Sequence, residues 1–411
     1  MRKTAIFALG LALTALHSTA QNIPDEIFAD DIKTARVLPE GADFGYPMAR
    51  LGEALTLSFD ILDDKYSSLY YSVRHCDSDF QPDDLDFSEY ADGFNDRPIQ
   101  DYENSFNTHA TFSHYTITIP NRDIQPTISG NYMITVYDDD NPDTPLLTKY
   151  FMLYDEDDGG KIRCGVVQPF LPEYQMQCQQ LELTVDNSRM RVANPERYLR
   201  VYAMQNGDLS TRKRLDISGI MGNEIQYMKN DGANIFWGIN EFSFLDAKDV
   251  HFRPLGVEAI IFPNGRYHYY LTPLPYVNAY QTRGDINGQY YVKNDRAFNL
   301  DLESDYVDAT FCFQYDRHTD HRIYLYGALS NWQCNDKSRL SWNQEKEYWE
   351  VTATIKQGLH NYMFVIKDKD GNIVDYNSGS HHNTQNDYLI AVYTTHTRDR
   401  GHRLVMAKVV R

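Results

Sequence analysis

Period-two alternation of apolar and polar residues governs most of the chain beyond its first twenty positions, the pattern of half-buried β-strands. Within 51–59, Leu55, Leu57 and Phe59 share one face while Thr56 and Ser58 take the other. Residues 115–119 alternate Tyr, Thr, Ile, Thr, Ile. Gly130 then leads into a Tyr-rich run over 131–137, an Asp- and Asn-rich turn closes at Pro142, and 145–154 supplies another strand. Strand, Gly turn, strand, Asp-rich turn, strand is the closing meander of an immunoglobulin-like sandwich. Further strands are expected at 181–185, 198–202, 241–244, 257–262 and 267–271, the last two joined by a turn at Pro263, Asn264, Gly265 and Arg266. The C-terminal part repeats the logic of the first, with strands at 309–315, 322–326, 348–355, 362–367, 387–393 and 403–410. Trp349, Val351, Ala353 and Ile355 share the face expected to be core. No helical run beyond a few turns stands out.

The fold class read from this pattern is all-β: tandem antiparallel immunoglobulin-like or E-set β-sandwich domains after a cleaved signal peptide. The expected divisions are a signal peptide at 1–20, an N-terminal sandwich at 21–157, a middle β domain at 158–303 and a C-terminal sandwich at 304–411. The leader rests on Arg2 and Lys3, an apolar run over 5–16, and small residues Ser18 and Ala20 before a cut at Gln21. The run is shorter than the ~20 residues of a membrane span. No Cys follows the cut, so no lipid anchor is expected.

Composition narrows the function. The 411 residues include 31 Tyr and 20 Phe, which suits half-buried strand faces. A formal net charge of −19 opposes nucleic-acid binding, which relies on a basic footprint. Cys76, Cys164, Cys178, Cys312 and Cys334 leave two readings open, local disulfides (164 with 178, 312 with 334) or free buried thiols. No catalytic motif is present, and neither a catalytic residue, a cofactor nor a metal site is assigned. His318 and His321 flank Asp320 before a strand, a loop position rather than a metal site.

Two stretches point to binding. Between Asp77 and Glu103 there are ten acidic residues and one base, Arg97, interleaved with apolar side chains. A long loop on a rigid sandwich commonly carries function, which makes Asp83, Asp84, Asp86, Phe87, Glu89, Tyr90 and Phe94 candidate partner-binding residues. A solvated loop with its own small apolar cluster and a calcium loop are the other readings; the acids do not match the EF-hand spacing. The second stretch, Tyr324 to Trp332, is similar to the strand-and-turn signature of starch- and glycogen-binding E-set modules. Trp332 and Trp342 are its candidate sugar-stacking residues.

Taken in order, further motifs resemble the plug proteins of the type IX secretion system of Bacteroidota. They include Tyr46-Pro47, the Leu57 to Asp60 strand, Tyr70-Tyr71, the stretch from His75 to Phe80, Gly93-Phe94, the stretch from Pro126 to Tyr132, the stretch from Val167 to Phe170, and the stretch from Tyr326 to Trp332. Where relatives often carry Trp, Phe80 keeps the apolar character. The resemblance implies a non-enzymatic periplasmic protein that binds the outer-membrane translocon barrel of the system and closes its periplasmic side when no cargo is present. A periplasmic glycan-binding protein is the alternative.

Overall fold

The computed structural model describes residues 25–62, 66, 68–155, 161–316, 320–395 and 401–411. The expected signal peptide, His318, and most of the expected boundary at 155–160 lie outside them. The chain is built almost wholly of antiparallel strands arranged as three two-sheet sandwiches.

In the first sandwich, one sheet runs Glu26–Ile27, Pro145–Tyr154, Gly130–Asp138, Leu69–Cys76 and Arg97–Pro98. The facing sheet runs Ile32–Pro39, Leu55–Ile61, Ser113–Ile119 and Tyr102–Asn104. Leu55, Leu57 and Phe59 enter the shared core from one side and Val73, Ile134 and Val136 from the other. The alternation of 55–59 thus becomes burial, each such side chain stabilising by roughly 1.5–3 kcal/mol.

The second sandwich places Ile162–Val167, Cys178–Asp186, Glu224–Tyr227 and Gly219–Met221 against Lys213–Leu215, Leu199–Gln205, Tyr388–Thr394 and Arg403–Val410. The third places Ser243–Asp246, Gly358–Lys367 and Tyr290–Val292 against Val257–Ile261, His268–Leu271, Tyr306–Gln314, Tyr348–Lys356 and Ser341–Asn343. The expected turn after residue 262 is present, with Asn264 and Gly265 at φ 54° and 80°.

The strands group differently from the contiguous divisions at 158–303 and 304–411. The last two strands complete the second sandwich: Leu199–Gln205 pairs with Tyr388–Thr394 along its whole length. Conversely, Ser243–Asp246 pairs with 359–362, and 268–270 runs parallel to 308–310, both in the third sandwich. The chain therefore leaves the second sandwich, builds the third and returns. Alternation tells which face of a strand is buried but not which strand lies beside it.

Three junctions lock the sandwiches together. Phe80, Tyr150 and Met152 of the first pack on Tyr202, Met204, Leu389, Ala391 and Tyr393 of the second. Ile239 and Phe242, after the second sandwich, pack on Tyr326, Met363 and Val365 of the third. Between the first and third the junction is ionic. Asp60 and Lys356, each 1% exposed, meet at 2.6 Å. Tyr306 donates to the same Asp60 oxygen at 2.6 Å, and His114 holds the other at 2.6 Å. Burial pushes the Asp60 carboxyl up, but Lys356 and His114 together pull it below its ordinary value.

Candidate functional site

The acidic stretch does not project as a free loop. Its ends and middle are pinned to the sandwiches. Asp79 accepts the Tyr202 hydroxyl at 2.8 Å and faces Arg212 and Arg200 at 3.4 and 3.8 Å, all from the second sandwich. Arg212 also donates to the Ser78 carbonyl. Asp83 sits 2.5 Å from Nδ1 of His75, a fully buried ring. Tyr90 is 3% exposed and donates to the Val73 carbonyl at 3.0 Å, so it supports the stretch from beneath. Phe87 packs edge-on against it at 5.3 Å. Glu89 accepts the Asp86 backbone N–H at 2.9 Å and closes a single helical turn over Phe87–Tyr90.

Of the seven candidate residues, Asp84, Asp86 and Phe94 are the exposed ones. Phe94 is 72% exposed, carried on the short Ala91–Gly93 strand that pairs with Ile124–Pro126. A Cβ at Gly93 would stand 2.0 Å from the Asp123 carbonyl oxygen, so only glycine lets these strands approach as they do. The solvated-loop reading therefore holds for part of the stretch, and its own apolar cluster belongs to the main core.

The two candidate sugar-stacking residues are placed differently. Trp332 lies edge-on to Phe242 at 6.0 Å and to Tyr326 at 5.4 Å, packed into the junction with the second sandwich. Its ring rests over Gly288, where a Cβ would stand 2.3 Å from the indole. Trp342 lies on the short Ser341–Asn343 strand, its ring edge-on to Trp349 at 5.5 Å. Trp349 itself packs against the third core, as the alternation predicts. Among the described residues no ring contact joins Trp332 to Trp342, so they do not form one platform. Trp332→Ala should lower stability by about 3 kcal/mol, the low end for a truncated aromatic because the ring is half-buried, read as a fall in the urea unfolding midpoint.

All five cysteines are free thiols, with Cys76, Cys178 and Cys312 buried. Burial raises Cys76 and Cys178 to about 12 and Cys312 to about 11, which leaves them poor nucleophiles. Among the described residues, no group of three or more His, Cys, Asp or Glu is placed to hold a metal ion. No described helix is long and apolar enough to cross a membrane.

A cleft lies between the first and third sandwiches, where no sequence motif points. Its volume is about 430 Å³. One wall is Ile32 to Ala35, on the outermost strand of its sheet; the other combines the 328–338 loop with Thr352 to Lys356. Three lysines, Lys33, Lys337 and Lys356, line it, and no carboxylate does. A second, smaller cavity of about 80 Å³ continues past Ala35 along the same strand to Leu38. The walls come from segments about 300 positions apart in the chain, at 32–35 and 328–356, which is why no motif marks the cleft.

Comparison with known proteins follows this architecture. Residues 32–155 match the family described as the type 9 secretion system plug protein 1st domain. Residues 306–396 match the starch binding domain family. The first match spans the first sandwich from its Ile32–Pro39 strand to the end of Pro145–Tyr154. The second begins with Tyr306–Gln314 and runs on into the Tyr388–Thr394 strand of the second sandwich. Both are non-catalytic families. The crystal structure of a hypothetical protein from Parabacteroides merdae ATCC 43184 is 27% identical and superposes with a TM-score of 0.89, covering 94% of this chain and 98% of that one. No curated protein matches. The resemblance read from the residue motifs, a plug-type first domain with a C-terminal carbohydrate-binding-module-like region, is borne out.

Proposed function

We propose that this protein acts in type IX secretion as a non-enzymatic periplasmic plug, docking on the outer-membrane translocon barrel and closing it when no cargo is present. The observation that carries the reading is the plug-domain match over 32–155. The architecture supplies a physical basis. A body that must hold a wide pore shut cannot hinge, and here each sandwich is tied to the other two, by apolar packing at two junctions and a buried ion pair at the third. Docking through exposed side chains of moderate polarity lets a competing partner remove the plug by mass action.

For the docking residues we take the surface part of the acidic stretch, Asp84, Asp86 and Phe94. An exposed Phe, with the exposed Asp92 and Asp96 on either side of it in the chain, is the composition of an interface anchor with a polar rim. The test is affinity capture from outer-membrane extracts of a type IX-secreting bacterium with the full mature chain as bait. The barrel should be retained, and Phe94→Ala combined with Asp84→Lys should reduce retention by at least about tenfold. Unchanged retention by the variant removes these residues from the interface; no retention by folded wild-type bait removes the plug reading.

The starch-binding-domain match favours a second reading, a glycan-binding protein. Trp342 is the candidate that lies away from the junction filled by Trp332. Trp342→Ala should abolish retardation on a starch affinity gel under that reading and change nothing under the first.

A further inference from the structure

We propose that the cleft between the first and third sandwiches takes an extended polypeptide segment, which adds as a strand to the open edge of Tyr348–Lys356 and sets a carboxylate against Lys33. This goes beyond the translocon reading and does not depend on it.

The open edge comes from the sheet order. Tyr348–Lys356 pairs on one side with Tyr306–Gln314 over its whole length from Tyr306↔Lys356 to Phe313↔Trp349. On its other side only Tyr348, Trp349 and Glu350 have partners, in the three-residue Ser341–Asn343 strand. From Val351 to Ile355 that edge has no described strand beside it, and every second peptide group there presents its N–H and C=O outward. Thr352 to Ile355 of this edge line the cleft. An incoming strand would continue the line of Ser341–Asn343 and extend the sheet. Strand addition of this kind takes its affinity from main-chain hydrogen bonds.

The opposite wall is also a strand edge. Ile32–Pro39 ends its sheet, and its Ile32, Thr34 and Ala35 face the same space. The two edges converge where Lys356 meets Asp60, and the cleft opens away from that point. It has room for one extended segment between walls of alternating small, hydroxyl and aliphatic side chains: Thr34, Ala35, Thr352, Ala353, Thr354 and Ile355.

Charge selects the occupant further. The chain carries −19, yet this cleft has three lysines and no acid among its lining residues. Lys356 is satisfied by Asp60 and Lys337 by Asp30, each at 2.6 Å. Lys33 has no hydrogen-bond or ion-pair partner among the described residues. Burial and the neighbouring Lys337 ammonium lower its pKa even though Asp30 and Asp31 act in the opposite sense, so its charge is held at a cost that a carboxylate brought into contact would reduce. His360, also lining the cleft, is 2% exposed; its Nε2 contacts the Lys356 carbonyl at 2.8 Å, while its Nδ1 has no partner among the described residues. With Nε2–H donating, Nδ1 is left as a buried acceptor.

The experiment uses the full mature chain and a fluorescein-labelled peptide of alternating Val and Thr ending in Glu, followed by fluorescence anisotropy. Saturable binding is expected, weakened about tenfold by Lys33→Gln. Strand addition engages every second peptide N–H. Of two peptides N-methylated on alternate residues, one should therefore bind like the parent and the other at least about tenfold more weakly. Equal binding of the two methylated forms, no saturation up to about 1 mM peptide, or displacement of the peptide by maltoheptaose would each overturn the proposal.

Discussion

Asp60→Ala should lower the unfolding free energy by about 3–5 kcal/mol, the cost of stranding a buried charge. The substitution removes the acceptor of three groups at once: the Lys356 ammonium, the Tyr306 hydroxyl and the His114 ring. Lys356 is left 1% exposed with, among the described residues, the Asp301 carbonyl at 2.6 Å and the face of the Phe112 ring at 4.3 Å to receive it. Asp60→Asn should cost less, since the amide oxygen still accepts from Tyr306. The readout is the midpoint of urea unfolding, with intrinsic fluorescence following the core tyrosines. The first and third sandwiches should separate into two transitions in the Ala variant if this network couples them; a single transition at the wild-type midpoint would refute the assignment.

The same group gives an acid dependence. The folded-state pKa of Asp60 lies below the ~3.9 of an unperturbed aspartate. The unfolded chain therefore binds this proton first as pH falls. The stabilisation is complete above about pH 4 and is lost as pH drops through the folded value. Asp60→Asn should flatten that part of the stability profile while leaving the neutral region merely lower.

Phe80→Ala should cost about 3–5 kcal/mol, the range for a buried aromatic whose cavity cannot collapse. Phe80 is 1% exposed, edge-on to Tyr150 at 5.0 Å, with the Arg212 guanidinium 5.2 Å from the ring centre. Its backbone is held at φ 59°, a conformation that costs a non-glycine residue roughly 1–3 kcal/mol and persists where surrounding packing fixes it. Removing the ring takes away both the filling of the first–second junction and what holds that turn. The Ser78 and Asp79 contacts to Arg212, Arg200 and Tyr202 hang on the same turn. Limited proteolysis should therefore gain a cut within 77–83. An unchanged digestion pattern together with wild-type stability would show the junction to be held elsewhere.

Side-chain period alone carries much of the local architecture. It places the strands at 145–154 and 322–326 at their observed bounds, marks the turn after 262, and assigns Trp349 to the core. These are local facts: a two-residue repeat and a left-handed turn are written in neighbouring residues. The same locality misleads at 77–103, where a dense run of acids reads as one protruding loop. Asp79 instead finds Arg212 in another sandwich, and Asp83 finds the ring of His75 on the strand that leads into the run. Composition sees neither partner. Trp332 likewise reads as a candidate sugar-stacking residue, and only the fold brings Phe242 and Tyr326 against it.

The class of the molecule is written in its residues: β-sandwiches with a plug-type first domain and a carbohydrate-binding-module-like C-terminal region. Three-dimensional packing was needed to establish that the Tyr388–Thr394 and Arg403–Val410 strands close the second sandwich, that Asp60 meets Lys356, and that two strand edges face each other across a lysine-lined cleft. Each of these is a pairing of segments far apart in the chain. Hydrogen bonding between strands is set by backbone groups that are the same at every residue, so the choice of neighbour emerges only when the faces of all three sandwiches compete for burial at once.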